Sequence, residues 1–158
     1  MRADDIPVAH TPAGGYGDVL PPPILARCTE PLAPGAPDLR GTWQTETLEV
    51  GGAIAPADHP LWRHVERIEQ CGDRVVVTST GVIHDMRADG TVEHGVNDVS
   101  AVSHVPIRVV ATFEDGALVL RPVGLAGIEV TRERDGDRLV WRYGPGIAVR
   151  MRRIDEAR

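Results

Sequence analysis

Six histidines are spread along the 158-residue chain, and two of them lie close enough to a turn signal to act together. His84 and His94 flank Asp89-Gly90, so they could face each other across a hairpin. With a neighbouring carboxylate, such a pair could bind a metal or exchange protons as acid and base. A catalytic zinc usually takes three protein ligands, and no third can be placed, so we predict no metal site. The alternative is two polar strand residues without a special role.

Arginine and aromatic residues in the last third of the chain follow an alternating pattern, and residues two apart on a strand share a face. Trp141 shares a face with Tyr143, and Arg150 shares one with Arg152. Arg132 belongs to a further alternating run. A guanidinium in an apolar interior is costly unless paired, and its fork suits a carboxylate or an enolate. The alternative is that these arginines face solvent or pair with nearby acids.

Composition and motifs exclude several classes of protein. The formal net charge is −6, so no broad basic surface attracts nucleic acid, and we expect no nucleic-acid partner. The chain has no phosphate-binding loop, no dinucleotide-binding glycine motif and no G-x-S-x-G nucleophile elbow. We therefore predict no cofactor. All 17 basic residues are arginine, a bias that suggests a GC-rich bacterial genome.

Short runs rich in β-branched residues fill the chain from Leu39 onward, separated by tight-turn signals such as Asp-Gly, which favours β-hairpins. We predict ten strands, at 41–50, 63–71, 73–80, 82–88, 91–101, 106–114, 117–123, 127–134, 138–143 and 147–154. A flat meander of this length would leave two open edges. The predicted fold is therefore all-β, an antiparallel up-and-down barrel of about 8–10 strands. At most one or two helical turns, with Asp58 as the cap, are predicted within 57–66.

Residues 1–38 differ from the rest of the chain, because eight of the 13 prolines lie there. Proline removes a backbone donor and fixes φ, which excludes a long helix or a central strand. We predict a proline-rich N-terminal arm over 1–38 and a barrel domain over 39–158. An apolar group in the arm predicts docking on the domain, and it consists of Val19, Leu20, Ile24 and Leu25. Residues 1–18 are expected to bury little.

Several motifs, taken in order, resemble those of the lipocalin-like (calycin) superfamily. Gly41-Thr42-Trp43 is similar to the Gly-x-Trp that opens the first strand of lipocalins and fatty-acid-binding proteins. The stretch 68–75 resembles a strand–turn–strand of the latter proteins. The last third is most similar to fatty-acid-binding proteins, through Ile128 to Glu133, Asp135-Gly136, Leu139 to Trp141, Gly146, Ala148-Val149 and Arg152.

The resemblance implies a ligand inside the barrel. Arg132 and Arg152 match positions that hold a ligand carboxylate in fatty-acid-binding proteins. It also implies that Trp141, Tyr143 and Arg150 point inward with them, so these five residues are the predicted ligand-binding set.

The resemblance also implies how the two ends of the barrel are closed. Trp43 would plug the floor, with Arg150 or Arg152 stacked on it. Fatty-acid-binding proteins place a helix pair between their first two strands, and residues 51–62 are too few for it. The N-terminal arm could close the mouth in its place.

The predicted function is binding of a small hydrophobic or amphipathic molecule, acidic groups included, with Trp141 and Tyr143 supplying area and an arginine orienting the polar end. Three alternatives stay open. A cyclase or isomerase would use His84, Tyr143 and an arginine for proton transfer and oxyanion stabilisation. A nitrobindin-like barrel would bind heme through one histidine, and a packed barrel would hold no ligand.

Cys28 and Cys71 belong to no paired motif, which predicts two free thiols in a reducing cytoplasm. The sequence has no basic segment followed by an apolar stretch at its start and no run long enough to span a membrane. We predict a cytoplasmic protein without a membrane span and leave a homodimer open.

Overall fold

A computed structural model describes residues 1–155, which form β-structure and two 3₁₀ turns, Ala3–Asp5 and Pro60–Arg63. The strands are β1 (Gly41–Val50), β2 (Ala53–Ile54), β3 (Val65–Cys71), β4 (Arg74–Ser79), β5 (Val82–Arg87), β6 (Val96–Val99), β7 (Pro106–Glu114), β8 (Ala117–Pro122), β9 (Val130–Asp135), β10 (Arg138–Tyr143) and β11 (Ile147–Arg153). The helical turn predicted within 57–66 is the second 3₁₀ turn. His59, not Asp58, caps it by accepting a hydrogen bond from the Leu61 amide. No helix among the described residues is long and apolar enough to cross a membrane.

The strands form one antiparallel sheet in the order β5-β4-β3-β1-β11-β10-β9-β8-β7-β6, with β2 beside β1. β1 pairs with both β3 and β11, which joins the two ends of the meander and curls the sheet into a nearly closed barrel. β5 and β6 meet at the remaining gap, where the Arg87 amide donates to the His94 carbonyl at 2.7 Å. The predicted all-β, up-and-down barrel is confirmed.

The turn between β7 and β8 shows how local sequence directs the pairing. Asp115 and Gly116 have φ angles of 49° and 78°. Both values are positive, as a two-residue type I′ turn requires. The twist of this turn type matches that of the flanking strands. The hairpin register follows, with Glu114 paired to Ala117.

The segment around Asp89-Gly90 departs from the prediction. β5 ends at Arg87 and β6 begins only at Val96, so a loop rather than a tight hairpin joins them. His94 lies in this loop, with its Nδ1 2.6 Å from an Asp89 carboxylate oxygen. The predicted cross-strand pair of His84 and His94 is therefore wrong, because the connection is too long to place them opposite each other.

The last strand presents its apolar residues to the barrel interior. Val149 and Met151 are fully buried and lie opposite Trp141 and Leu139 of β10. The residues between them point outward, so the inward orientation predicted for Arg150 and Arg152 is wrong. On the outer face, Arg150 pairs with Asp135 at 2.8 Å, and Arg152 donates to the Gln44 side-chain oxygen at 2.8 Å.

Trp43 is fully buried in the main core, and its indole N–H donates to the Leu39 carbonyl at 3.0 Å. The arginine opposite it in register on β11 is Arg153, whose guanidinium carbon lies 5.0 Å from the ring centroid. Arg134 of β9 lies 5.3 Å from the same ring. An arginine therefore does cover Trp43, but it is Arg153 rather than Arg150 or Arg152, because the outward residues of β11 cannot reach the ring.

The N-terminal arm packs on the outer face of the sheet and forms a second core there. Its apolar contacts join Leu25 and Ala3 of the arm to Val76 and Ile83 of β4 and β5. Every residue of β4 is buried, since the barrel interior covers one face and the arm covers the other. Val19 is instead 81% exposed, so the predicted docking group is only partly used. The expectation that residues 1–18 bury little is wrong.

A buried arginine explains why the first residues of the arm are held. Arg74 of β4 forms a two-bond ion pair with Asp85 of β5, at 2.8 and 2.6 Å. The same guanidinium donates to the backbone carbonyls of Ala3, Ile6 and Pro7 at 2.5–2.8 Å. Because every residue has a backbone carbonyl, the side-chain pattern of the arm does not predict these contacts.

A disulfide joins the arm to the barrel. Cys28 and Cys71 are bonded, with their Cα atoms 6.2 Å apart, which corrects the prediction of two free thiols. Disulfides persist mainly in oxidising compartments. The cytoplasmic location predicted above therefore loses one of its supports and stays a prediction from sequence.

Candidate functional site

The barrel interior contains a cavity of about 950 Å³. Inward-facing apolar side chains form most of the wall, among them Val77, Met86, Val109, Leu120 and Val130. The rim combines arm residues 16–18, the 3₁₀ turn near Leu61, and the loop 100–103. The cavity volume is within the range of small-molecule sites, which are roughly 300–1,000 Å³.

Three polar side chains meet inside this apolar wall. Glu66 of β3 is fully buried and accepts hydrogen bonds from the Arg132 Nε at 2.7 Å and Nη2 at 3.3 Å. The same carboxylate lies 2.7 Å from the Nε2 of His64. One carboxylate therefore orients both an arginine from β9 and a histidine from the turn before β3. We call Glu66, Arg132 and His64 the polar cluster.

The polar cluster keeps its glutamate ionised. Burial alone would raise the pKa of Glu66, but the charge of Arg132 and the hydrogen bond from His64 outweigh it and lower that pKa to about 2. At neutral pH the carboxylate and the guanidinium cancel each other's charge. Arg132 and His64 line the cavity, whereas Glu66 lies behind them.

Trp141 of β10 packs against both cavity-lining members of the cluster. Its ring centroid lies 5.2 Å from that of His64, with the planes 21° apart, and 5.4 Å from the Arg132 guanidinium carbon. Its indole N–H is buried and has no hydrogen-bond partner among residues 1–155. The ring therefore lines the cavity, while its nitrogen has almost no accessible surface toward it.

His84 also lines the cavity, but its ring is already engaged. Its Nε2 lies 2.8 Å from the carbonyl of Val99, so the side chain bridges the gap between β5 and β6. Burial lowers the pKa of His84, which favours the neutral ring at physiological pH. Tyr143 lies at the mouth, where it is 41% exposed. The two candidate catalytic residues thus occupy different parts of the cavity.

The structure brings together Arg132, Trp141 and Tyr143 of the predicted ligand-binding set and places Arg150 and Arg152 outside. Sequence reasoning missed His64 and Glu66. A signal was present, because these residues stand two apart at the start of a predicted strand and so share a face with buried Ile68.

No protein-family model and no curated protein matches the chain. Solved structures do match it. The crystal structure of zebrafish ileal bile acid-binding protein complexed with cholic acid has a TM-score of 0.56 and 18% identity, covering 73% of this chain and 98% of that one. Human cRBP IV has a TM-score of 0.53 and 16% identity, covering 74% of this chain and 98% of that one. The chain therefore shares the antiparallel β-barrel fold of these two proteins. At these identities the likeness concerns the fold.

In this barrel the N-terminal arm supplies part of the rim. The Tyr16 amide donates to the Gly81 carbonyl at 3.2 Å, which attaches the arm beside the β4–β5 turn. Burial raises the pKa of the Tyr16 hydroxyl, which has no hydrogen-bond partner among the described residues. Residues 16–18 of the arm thus form part of the cavity rim, and the replacement of the helix pair of fatty-acid-binding proteins stays a prediction from the resemblance.

Proposed function

We propose that the protein binds one small, mostly apolar molecule in the barrel cavity. The observation that carries the proposal is the cavity itself, with about 950 Å³ of space, apolar walls and one polar cluster. A concave apolar site with a few convergent polar groups is the usual form of a small-molecule site. The fold also fits, since the zebrafish protein of the same architecture is complexed with cholic acid.

Arg132 defines where the polar end of the ligand would lie. It uses Nε and Nη2 on Glu66, and its Nη1 has no hydrogen-bond partner among the described residues. The Trp141 ring packs against the guanidinium and supplies aromatic area beside it. A ligand oxygen placed here would accept from Nη1, while the apolar body would lie against Val109, Leu120 and Val130.

Filling the cavity tests the proposal. Nile red, an uncharged apolar dye, should bind saturably to the wild-type protein with a rise in fluorescence. Leu120→Trp puts a larger ring on the inner face and should abolish binding, whereas Thr131→Trp, on the outer face of β9, should not. Equal binding by both variants, or none by the wild type, would refute a ligand inside the barrel.

A proton-transfer enzyme is the second candidate, and the His64–Glu66 contact favours it. A carboxylate that holds one ring nitrogen orients the imidazole and leaves its other nitrogen to act as a base, as in catalytic dyads. The Nδ1 of His64 has only a long, 3.5 Å approach from the Thr80 hydroxyl. In this alternative His64 takes the role predicted for His84.

A simple base-sensitive probe separates the two candidates. 5-Nitrobenzisoxazole loses its C3 proton to a base, the C–H electron pair forms the third bond of a nitrile, the N–O bond breaks, and a cyano-nitrophenolate forms. A cavity base should accelerate this reaction, with His64→Gln inactive and His84→Gln active. If His64→Gln retains the full rate, the enzyme candidate fails and ligand binding stands alone. Heme binding, a bacterial source, a cytoplasmic location and a homodimer remain predictions from sequence.

A further inference from the structure

The charge balance of the cavity restricts the kind of ligand it accepts. Arg132 is the cation expected to hold a ligand acid, yet the two-bond contact with Glu66 already neutralises it. Glu66 is fully buried and has no access to solvent, so a ligand cannot displace it into water. A buried ion pair of this geometry breaks only at a high cost in free energy.

The remaining charged groups at the cavity do not change this balance. His64 lies against the Glu66 carboxylate, and His84 lies against a backbone carbonyl. At the rim, Asp18 and Arg63 carry opposite charges and are exposed, so water screens them. While the His64 ring is neutral the cluster carries no net charge, so a ligand carboxylate placed beside Arg132 would bring one uncompensated negative charge into an apolar cavity, which is strongly unfavourable.

We propose that the ligand's buried polar group is an uncharged oxygen, such as a hydroxyl, ketone or ester, and not a carboxylate. The inference rests on the proposed binding function and names its ligand class. An uncharged oxygen can accept a hydrogen bond from the Arg132 Nη1 without disturbing the Glu66 pair. This differs from the acid-binding role that the sequence resemblance implied for Arg132.

The test compares two ligands that differ only at the head group. Decan-1-ol and decanoate should each be titrated against protein loaded with Nile red near neutral pH. In the wild type we expect decanol to displace the dye at a concentration at least about tenfold lower than the concentration of decanoate that is needed. Equal potency, or tighter binding of decanoate, overturns the inference.

Removing the counter-charge should reverse the selectivity. Glu66→Gln leaves Arg132 with a free positive charge, so decanoate should gain about tenfold or more in affinity while decanol changes little. Glu133→Gln is the matched control, since Glu133 adjoins Arg132 but faces outward and pairs with Arg142. If Glu66→Gln does not gain affinity for the acid, the counter-charge is not what excludes it and the inference fails.

Two further measurements keep the outcome clear. Should Glu66→Gln fail to fold, the double variant Glu66→Gln/Arg132→Gln removes both charges and should keep the alcohol preference. Nile red that binds but is displaced by neither compound overturns this inference and leaves the proposed function standing. Nile red that does not bind at all overturns the proposed function, and the inference with it.

Discussion

Arg74 is the side chain on which we expect the N-terminal arm to depend most. Replacing it with methionine keeps much of its length and apolar stem but removes the guanidinium. Five hydrogen bonds disappear: two to Asp85 and three to the carbonyls of Ala3, Ile6 and Pro7. Among the described residues, Asp85 then keeps only the Ala9 amide, at 2.9 Å, as a partner for its buried charge.

The size of the effect follows from burial. The Arg74 side chain is 3% exposed and that of Asp85 is 1% exposed, so solvent replaces almost none of the lost contacts. Removing one partner of a buried pair costs about 3–5 kcal/mol. For a chain of this length each kcal/mol shifts the melting temperature by about 2–4 °C, so Arg74→Met should melt about 6–20 °C lower.

Arg87→Met is the matched control, because Arg87 is the cross-strand neighbour of Arg74. It pairs with Asp4 and Asp73 but is 28% exposed. Such exposed pairs contribute roughly 0–1 kcal/mol each, so its variant should lose about 2 kcal/mol at most. Thermal unfolding followed by circular dichroism measures both. Equal losses of stability in the two variants would refute the argument. The double variant Arg74→Met/Asp85→Leu removes both charges and should regain part of the stability, so a melting temperature below that of Arg74→Met would refute it as well.

Three other outcomes are expected. The Cys28–Cys71 disulfide closes a loop over a sequence separation of 43, and the chain-entropy model gives it about 4 kcal/mol; urea unfolding of Cys28→Ser/Cys71→Ser should show this loss, and equal midpoints would contradict it. The native pKa of Glu66, about 2, lies below its ordinary value of 4.5. The ionised form therefore stabilises the fold above pH 4.5, and this stability is lost as the pH falls towards 2; Glu66→Gln should show a flatter unfolding profile in that window, and parallel profiles would contradict the role of the cluster. Arg153→Ala should lower stability by about 0.5–2 kcal/mol through loss of the contact with Trp43, whereas Arg152→Ala should change it little; similar guanidinium chloride midpoints for the two would argue against the stacking.

The parts of the fold that follow from local pattern could be predicted from the sequence. The alternation in β9 and β10 places Arg132, Trp141 and Tyr143 on one side of the sheet, and the structure has them at the cavity. Asp115-Gly116 specifies a hairpin because its residues tolerate positive φ. In contrast, Asp89-Gly90 has the same letters but sits in a loop, since β6 pairs only from Val96 onward.

The arm could not be predicted at the same level, because backbone groups hold it. Arg74 binds three carbonyls that any residue would present, and Glu69 accepts hydrogen bonds from the amides of Ile24 and Leu25. Nothing in the local sequence pattern distinguishes Arg74 or Glu69 from a charged residue on the exposed face of a strand. Their partners in the arm lie 44 or more positions away, a separation over which side-chain periodicity carries no information.

The arginines of β11 show where family resemblance and local pattern disagree. The resemblance implied an inward Arg152, but Ile147, Val149 and Met151 form the apolar face of the same strand. Because side chains alternate along a strand, either these apolar residues or Arg150 and Arg152 can point inward, but not both. Burying the apolar residues stabilises the barrel, whereas unpaired buried arginines would destabilise it. The same rule applied to β3 puts Glu66 inside with Ile68, and a buried glutamate requires a cation. Arg132 is that cation, so its role as a counter-ion for Glu66 follows from strand parity before any ligand is considered.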